Sequence, residues 1–246
     1  MDYNTDLRPP PPFFDAALSG DIASVKRHLA AGANINTKDD RYGSVLQCAV
    51  KSGDEATVRL LLNSGADVNA NGGHHASALG AVAYSGNINM VKLLLDHGAD
   101  VNVGSTGRYA GMAFGSGYRG QVLQLAAEGR KTDVVKLLLQ HGADVNATGG
   151  MYGTALQAAA HYGNEESVRA LLDAGAKVNI QGGYHGDALQ AAARYGRANL
   201  VHILLDAGAD PTAQCGVCGS ALKGARERGH PDVVKILEAA IAKWQK

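Results

Sequence analysis

A segment of the form Gly-Ala-x-x-x recurs along this chain at a nearly constant spacing. It starts at Gly32, Gly65, Gly98, Gly142, Gly175 and Gly208, so successive copies lie 33, 33, 44, 33 and 33 residues apart. A second segment, which ends in Leu-Gln in four of its copies, keeps the same phase. A fixed period of this length is typical of a chain built from stacked structural repeats. The one longer interval exceeds the period by 11 residues, which indicates an insertion within one repeat.

Each period predicts two short helices followed by a turn. In one copy Thr154 is a candidate N-cap, Leu156 begins an apolar stripe and Gly163 ends the helix. Asn164 then begins a second helix that stops at Gly175, and the glycine-rich stretch after it predicts an extended hairpin. Because one such unit cannot bury its apolar face alone, the units are expected to stack on one another.

These features resemble the ankyrin repeat. The resemblance lies in the length of 33, the Gly-Ala-Asp-Val-Asn ending and the element Thr-Ala-Leu-Gln-Ala-Ala-Ala, where the family usually has Thr-Pro-Leu-His-x-Ala. The form Gly-Gly-x-x-Gly-Thr-Ala-Leu-Gln looks like the variant common in long fungal arrays. The resemblance implies an all-α solenoid of about seven helix-turn-helix units with β-hairpin fingers.

The period divides the chain into a proline-rich lead-in, residues 1–12, and a single ankyrin-repeat domain, residues 13–246. The predicted units are 13–42, 43–75, 76–119 with an insertion near 104–117, 120–152, 153–185, 186–218 and 219–246. The first unit lacks a preceding hairpin and the last ends in an amphipathic segment with a polar tip. We therefore expect capped ends and a self-contained, monomeric domain.

A glutamine replaces the usual histidine of the family in four units. These glutamines are Gln47, Gln124, Gln157 and Gln190, whereas Gly80 and Lys223 occupy the equivalent positions of two other units. The amide is expected to hydrogen-bond the backbone of a neighbouring hairpin, which makes the glutamine structural. That bond is in doubt where glycine or lysine stands instead.

Composition excludes several classes of function. The 23 Lys and Arg balance 23 Asp and Glu, which argues against a sequence-independent nucleic-acid binder. No apolar run approaches the about 18 residues that a membrane span needs. Three cysteines and an N-terminus without a secretory signal fit a reducing compartment, so we expect an intracellular protein, cytoplasmic or nuclear, with no cofactor.

The resemblance implies that hairpin tips and the last turn of each first helix form a concave groove. The tip pairs are Arg41/Tyr42, His74/His75, Tyr118/Arg119, Met151/Tyr152, Tyr184/His185 and Val217/Cys218. The helix-end pairs are Lys51/Ser52, Tyr84/Ser85, Glu128/Gly129, His161/Tyr162, Arg194/Tyr195 and Glu227/Arg228. These groove positions hold seven of the nine tyrosines and four of the nine histidines.

Such a composition indicates a recognition surface, because tyrosine and arginine supply binding hot spots whereas a merely solvated face carries Lys, Glu and Asp. The predicted binding residues are Tyr118, Arg119, Tyr152, His161, Tyr162, Tyr184, His185, Arg194 and Tyr195. The groove is expected to bind another protein. The alternative is that the tyrosines only cover hairpin backbone. Five cations against two anions weakly favour acidic ligands.

A second hypothesis is a small-molecule-binding or catalytic array. His161, Tyr162, Arg194 and Tyr195 would supply the acid–base cluster, since a His–Tyr pair can move protons. The insertion, with Tyr109, Met112 and Phe114 among glycines, would be the lid, although a tolerated insertion explains it as well. No serine–histidine–aspartate set or phosphate loop supports catalysis, so an enzyme is the less favoured interpretation.

The motif Cys215-Gly-Val-Cys218 is the one metal-like or redox-like element of the sequence. A structural zinc ion needs four ligands, and a second Cys-x-x-Cys is absent from the sequence. Redox dithiols usually open a helix in a βαβ unit, which this chain lacks. Cys215 and Cys218 are therefore weak candidates for a metal site and are expected to be ordinary hairpin residues.

Overall fold

The computed structural model describes residues 9–72, 77–103 and 121–245. Within these ranges the helices form seven consecutive pairs, each with an inner helix followed by an outer one. The pairs are α1 Pro12–Leu18 and α2 Ile22–Ala30, α3 Val45–Ser52 and α4 Glu55–Asn63, α5 Ala78–Ser85 and α6 Ile88–Asp96, α7 Val122–Glu128 and α8 Thr132–Gln140, α9 Ala155–Tyr162 and α10 Glu165–Asp173, α11 Ala188–Arg194 and α12 Ala198–Asp206, and α13 Ala221–Glu227 and α14 Pro231–Trp244. None of these helices is long and apolar enough to cross a membrane.

Capping residues set the helix bounds as the repeat pattern predicts. The Thr154 hydroxyl accepts a hydrogen bond from the backbone N–H of Gln157 at 3.2 Å, which opens α9. Gly163 closes that helix in a left-handed conformation, and the Asn164 side chain caps α10 by accepting from the N–H of Ser167 at 3.2 Å. The predicted caps of both helices are confirmed.

Inner helices are buried on every side over most of their length. In α9 residues 155–160 are all buried, which is more than the apolar stripe that the sequence predicts. The reason is that α9 packs against α7, α11 and its own outer helix α10, so few sides remain for solvent. Small side chains, mostly alanine, allow this close stacking.

A ladder of asparagines ties each unit to the next. The asparagine that ends each Gly-Ala-x-x-Asn segment accepts a hydrogen bond from a backbone N–H of the following unit. The ladder comprises Asn36 to Asp67, Asn69 to Asp100, Asn102 to Asp144, Asn146 to Lys177 and Asn179 to Asp210, at 2.8 or 2.9 Å. The link from Asn102 to Asp144 crosses the insertion, so the units on either side of it stack like the others.

The fingers between units are short. β1 Lys38–Asp39 pairs with β2 Gly43–Ser44, and the three later fingers that the structure describes close through single bridges. These bridges join Gly149 to Gly153, Gly182 to Gly186 and Cys215 to Gly219. The extended hairpins that the sequence predicts are therefore tight turns, because left-handed glycines reverse the chain within five residues.

The repeated glutamine joins its own helix cap to the next finger. Gln157 Oε1 accepts from the N–H of Thr154 at 2.5 Å, and its amide nitrogen donates to the carbonyl of Gly186 at 2.8 Å. Gln47 donates in the same way to the carbonyl of Gly72 at 2.9 Å. The predicted structural role of this glutamine is confirmed, and Lys223 instead directs its ammonium towards Glu227 at 3.8 Å.

Candidate interaction surface

The groove positions lie at the ends of the inner helices and at the tips of the fingers, in the same place in successive units. Inner helix α9 ends at Tyr162, the second member of its predicted pair, and α13 ends at Glu227, the first member of its pair. The finger tips 151–152, 184–185 and 217–218 lie beside the inner helices. Adjacent tips are joined by backbone bonds, from Tyr184 N–H to Met151 O at 2.8 Å and from Val217 N–H to Tyr184 O at 3.3 Å. Tyr118, Arg119, His74, His75 and the 104–117 insertion lie outside the described residues.

Two histidines form the centre of the surface. His161 Nδ1 and His185 Nε2 are 2.8 Å apart, so one ring donates a hydrogen bond to the other. Their rings stack with centroids 4.9 Å apart, and the Tyr195 ring packs edge-on against His161 at 4.6 Å. His185 is only 4% exposed and its Nδ1 has no partner among the described residues.

Two tyrosines close one side of this pair. The hydroxyls of Tyr152 and Tyr162 are 2.8 Å apart, and the two rings meet edge to face at 5.4 Å. Both side chains are half-buried, and burial raises the pKa of each phenol above its usual value. The Tyr152 ring also contacts His161 at 4.6 Å, which connects the tyrosine pair to the histidine pair.

Burial keeps the histidines uncharged at neutral pH. It lowers the pKa of His185 to about 4, with further contributions from His161 and the Arg194 guanidinium. Burial, with a smaller contribution from Arg197, also lowers the pKa of His161. Within the described chain no carboxylate is hydrogen-bonded to either ring. A histidine base is usually oriented by such a carboxylate, and none of the described ones makes that contact here.

The next unit repeats the same contact with different residues. The guanidinium of Arg194 donates to the sulfur of Cys218. The two residues are 24 positions apart in the sequence, which is also the separation of His161 and His185. The ring of His230 bonds the Arg194 carbonyl at 3.2 Å. His185 and Cys218 are one repeat period apart and so occupy equivalent positions in successive units, and both are buried.

A row of apolar and aromatic side chains remains exposed above this layer. Met151 and Tyr195 are each 40% exposed, Tyr184 is 37% exposed and Val217 is 54% exposed. They follow the finger tips and one helix end, and we call them the exposed strip. The buried residue His185 and the half-buried residues Tyr152, Tyr162, His161 and Arg194 form the supporting layer beneath it.

The cysteine motif holds a contact that the sequence does not predict. The Cys215 thiol donates to Asp187 Oδ2 at 3.2 Å, and the Gln190 amide donates to its sulfur at 3.0 Å. The one available signal was Asp187 itself, a carboxylate at a cap position that elsewhere carries Ser, Thr or Gln. Among the described residues no three His, Cys, Asp or Glu side chains converge on a possible metal position.

Comparison with known proteins decides the family. The sequence model of ankyrin repeats, in three copies, matches residues 13–105 and 123–215. The chain belongs to the ankyrin repeat family. Its fold is similar to the crystal structure of the human ASB11 ankyrin repeat domain, with a TM-score of 0.74 and 26% identity over 93% of this chain and 98% of that one. Curated protein sequences contain no match to this ankyrin-repeat chain.

Proposed function

We propose that this ankyrin array is a non-enzymatic module that binds a partner protein through the exposed strip of its groove. The observation that carries the proposal is the exposure of Met151, Tyr184, Tyr195 and Val217 in one row. Protein surfaces place large apolar side chains in contiguous rows chiefly where a partner covers them. The usual role of the ankyrin family, protein binding, agrees with this surface.

The supporting layer favours binding by a preformed surface. Tyr195 is wedged against His161 and His185, with ring centroids 4.6 and 5.5 Å away. Tyr184 is held edge-on to His185 at 4.9 Å and through its backbone to Met151. Side chains that are already fixed lose little entropy when a partner binds, so more of the contact energy contributes to affinity.

The exposure pattern also favours the recognition hypothesis over the alternative that the tyrosines only cover hairpin backbone. Tyr152 and Tyr162 are half-buried and hydrogen-bonded to each other, which agrees with a covering role for these two side chains. Tyr184 and Tyr195 leave more than a third of their surface open, which covering backbone does not require. The recognition surface is therefore assigned to these two tyrosines, with Tyr152 and Tyr162 as their support.

The test is a pair of surface variants. Tyr184→Ala/Tyr195→Ala removes the exposed strip's aromatic area and leaves the His161–His185 bond in place, whereas Tyr162→Ala/Arg194→Ala also removes internal contacts. Trp244→Ala is the matched control, because Trp244 is 53% exposed on α14. Proteins captured from lysate of the native source are identified, purified and titrated against all variants.

We expect the Kd of a genuine partner to rise about 30-fold in the Tyr184/Tyr195 variant, since each hot-spot aromatic contributes about 1–2 kcal/mol. The Trp244 variant should bind like the wild type. Equal affinity of the Tyr184/Tyr195 variant and the wild type would show that the partner uses another face.

A further inference from the structure

Two thiols lie on one tight turn and both face the inner helix α11. Cys215 and Gly219 are bridged by a backbone bond of 2.7 Å, and Cys218 directly precedes Gly219. The Cα atoms at the ends of a four-residue turn lie within about 7 Å. A disulfide spans Cα separations of about 4.4–6.8 Å, a range that the two ends of such a turn can reach.

Each thiol has a different charged neighbour. The guanidinium of Arg194 donates to the sulfur of Cys218, while the carboxylate of Asp187 accepts from the thiol of Cys215. A cation beside a thiol favours the thiolate, which is the nucleophilic form. Burial and the neighbouring carboxylate of Asp187 raise the pKa of Cys215 to about 12, so this thiol keeps its proton until it reacts, and Asp187 then lies beside it to accept that proton. The two neighbours therefore suit the two halves of a disulfide-forming reaction.

The Asp187–Cys215 contact is specific to this unit. The equivalent residues one unit earlier are Thr154 and Gly182, and neither can ionise there. Asp187 is 5% exposed, and its burial raises the pKa of the carboxyl. A carboxylate with a raised pKa takes up a proton more readily than an ordinary one.

We propose that Cys215 and Cys218 are a peroxide-oxidisable dithiol in which Arg194 activates Cys218 and Asp187 accepts the proton of Cys215. The inference does not depend on the function of the groove. Cys215 is partly exposed and Cys218 is 5% exposed, so the oxidant must be small, and hydrogen peroxide meets this requirement.

The reaction balances in two steps. The Cys218 thiolate attacks one peroxide oxygen: an S–O bond forms, the O–O bond breaks, and the departing hydroxide takes up a proton to become water. The sulfur of Cys215 then attacks the Cys218 sulfenic acid while its proton passes to Asp187. The S–S bond forms, the S–O bond breaks, and the hydroxide that leaves takes the proton from Asp187 as a second water. The two thiols are oxidised and one peroxide is reduced.

The chain carries its own reference thiol. Cys48 is fully buried in α3, and its burial raises the pKa of the thiol to about 11. Its thiol donates to the Tyr42 carbonyl at 3.7 Å, and none of the cationic side chains in the described ranges is hydrogen-bonded to it. A reagent that oxidised thiols without selection would modify Cys48 only after unfolding.

The experiment treats the fully reduced full-length protein with a small excess of hydrogen peroxide and maps it after tryptic cleavage. Cys215 and Cys218 fall in one peptide, residues 198–223, and Cys48 falls in residues 42–51. We expect the first peptide to lose the mass of two hydrogens, reversibly with dithiothreitol, while the second stays unchanged. No loss of hydrogens, or two oxygens added to Cys218 instead, overturns the proposal.

Variants assign the two roles. Asp187→Asn retains a capping side chain but not the base, so Cys218 sulfenic acid should accumulate and be trapped by dimedone, as it should in Cys215→Ser. Arg194→Met should slow the first step about tenfold, whereas Arg226→Met, which removes the exposed partner of Glu238, should not. Circular dichroism checks that each variant is folded. Wild-type rates in both Asp187→Asn and Arg194→Met would refute the assigned roles.

Discussion

At the scale of single residues, the side chain of Gln157 stabilises the fold through several hydrogen bonds to the backbone. Its side chain bonds the cap residue Thr154 and the carbonyls of Ile180 and Gly186 at 2.5, 3.1 and 2.8 Å. Replacement by alanine leaves the buried Thr154 N–H without this acceptor and removes one of the two hydrogen bonds that the Gly186 carbonyl accepts. We expect Gln157→Ala to lower the free energy of unfolding by about 2–3 kcal/mol in urea titrations.

Lys223 provides the control for that prediction. It occupies the equivalent position in the last unit, is exposed and makes no contact with a following finger. Lys223→Ala should change the free energy of unfolding by less than about 0.5 kcal/mol. Equal costs for the two substitutions would mean that the glutamine bonds contribute nothing beyond helix propensity.

The buried histidine pair predicts a pH dependence of stability. Because the folded-state pKa of His185 is about 4 and an unfolded histidine titrates near about 6.5, the unfolded chain takes up a proton first as the pH falls. The stability from neutral His185 is therefore complete above about pH 6.5 and is lost as the pH falls towards 4. His185→Gln removes this titration. Its deficit in unfolding free energy relative to the wild type should shrink by about 3 kcal/mol between pH 7 and pH 4.

His202→Gln serves as the matched comparison, because His202 is exposed on the outer helix α12. The change of the deficit with pH should be larger for His185→Gln than for this variant. Carboxylate titrations are common to all three proteins and cancel in the differences. A His185→Gln deficit that did not vary with pH would contradict the assigned burial of a neutral ring.

Repeat phase predicted which residues share the groove, but not how they touch. The spacing places His161, His185 and Arg194 on one surface because every unit repeats one backbone path. The bond from His161 to His185 and the bond from Arg194 to Cys218 depend on side-chain rotamers, which the period does not determine. The Cys215–Asp187 contact was missed for the same reason.

At the scale of elements, the fingers depend on close approach of their backbones. Gly183 has φ +63°, and a Cβ there would lie 2.5 Å from the carbonyl carbon of Tyr152. Gly175 has φ +88°, but a Cβ there would meet open space. Gly183→Ala should lower the free energy of unfolding by about 3 kcal/mol, and Gly175→Ala by only about 1 kcal/mol. Both substitutions strain a backbone with positive φ, but only the first also brings the new Cβ into a steric clash.

Thermal and urea unfolding of the two glycine variants measure this difference directly. If Gly183→Ala cost no more than Gly175→Ala, the finger at 182–186 would have to move away from Tyr152 without penalty. The sequence predicted both helices of each pair from caps and glycine stops. It overestimated the length of the fingers, because hydrophobic periodicity carries no information about a five-residue, glycine-rich turn.

At the scale of the whole molecule, the array is a sum of units and of the interfaces between them. The asparagine ladder and the buried inner helices supply those interfaces from the first described unit to the last. The groove is a consequence of that stacking, since its strip takes one side chain from each of three successive tips. The proposed recognition strip and the stabilising contacts therefore depend on the same repeat.

The insertion tests whether stacking is independent of finger length. The Asn102 side chain accepts from the Asp144 N–H at 2.8 Å and donates to the Gly142 carbonyl at 3.1 Å, as the other ladder asparagines do. A Cβ on Gly129 would lie 2.2 Å from the Tyr84 carbonyl oxygen, so α5 and α7, the inner helices of the two units that flank the insertion in the sequence, approach closely. Deleting the 11 residues 105–115, which restores the period of 33, should leave one cooperative transition with Tm changed by less than about 3 °C. A split transition would show that the insertion itself joins the two halves. The same deletion tests the lid hypothesis. If the insertion is a lid, its deletion should abolish ligand binding. If the exposed strip from Met151 to Val217 is the binding surface, the deletion should leave the affinity for a partner unchanged.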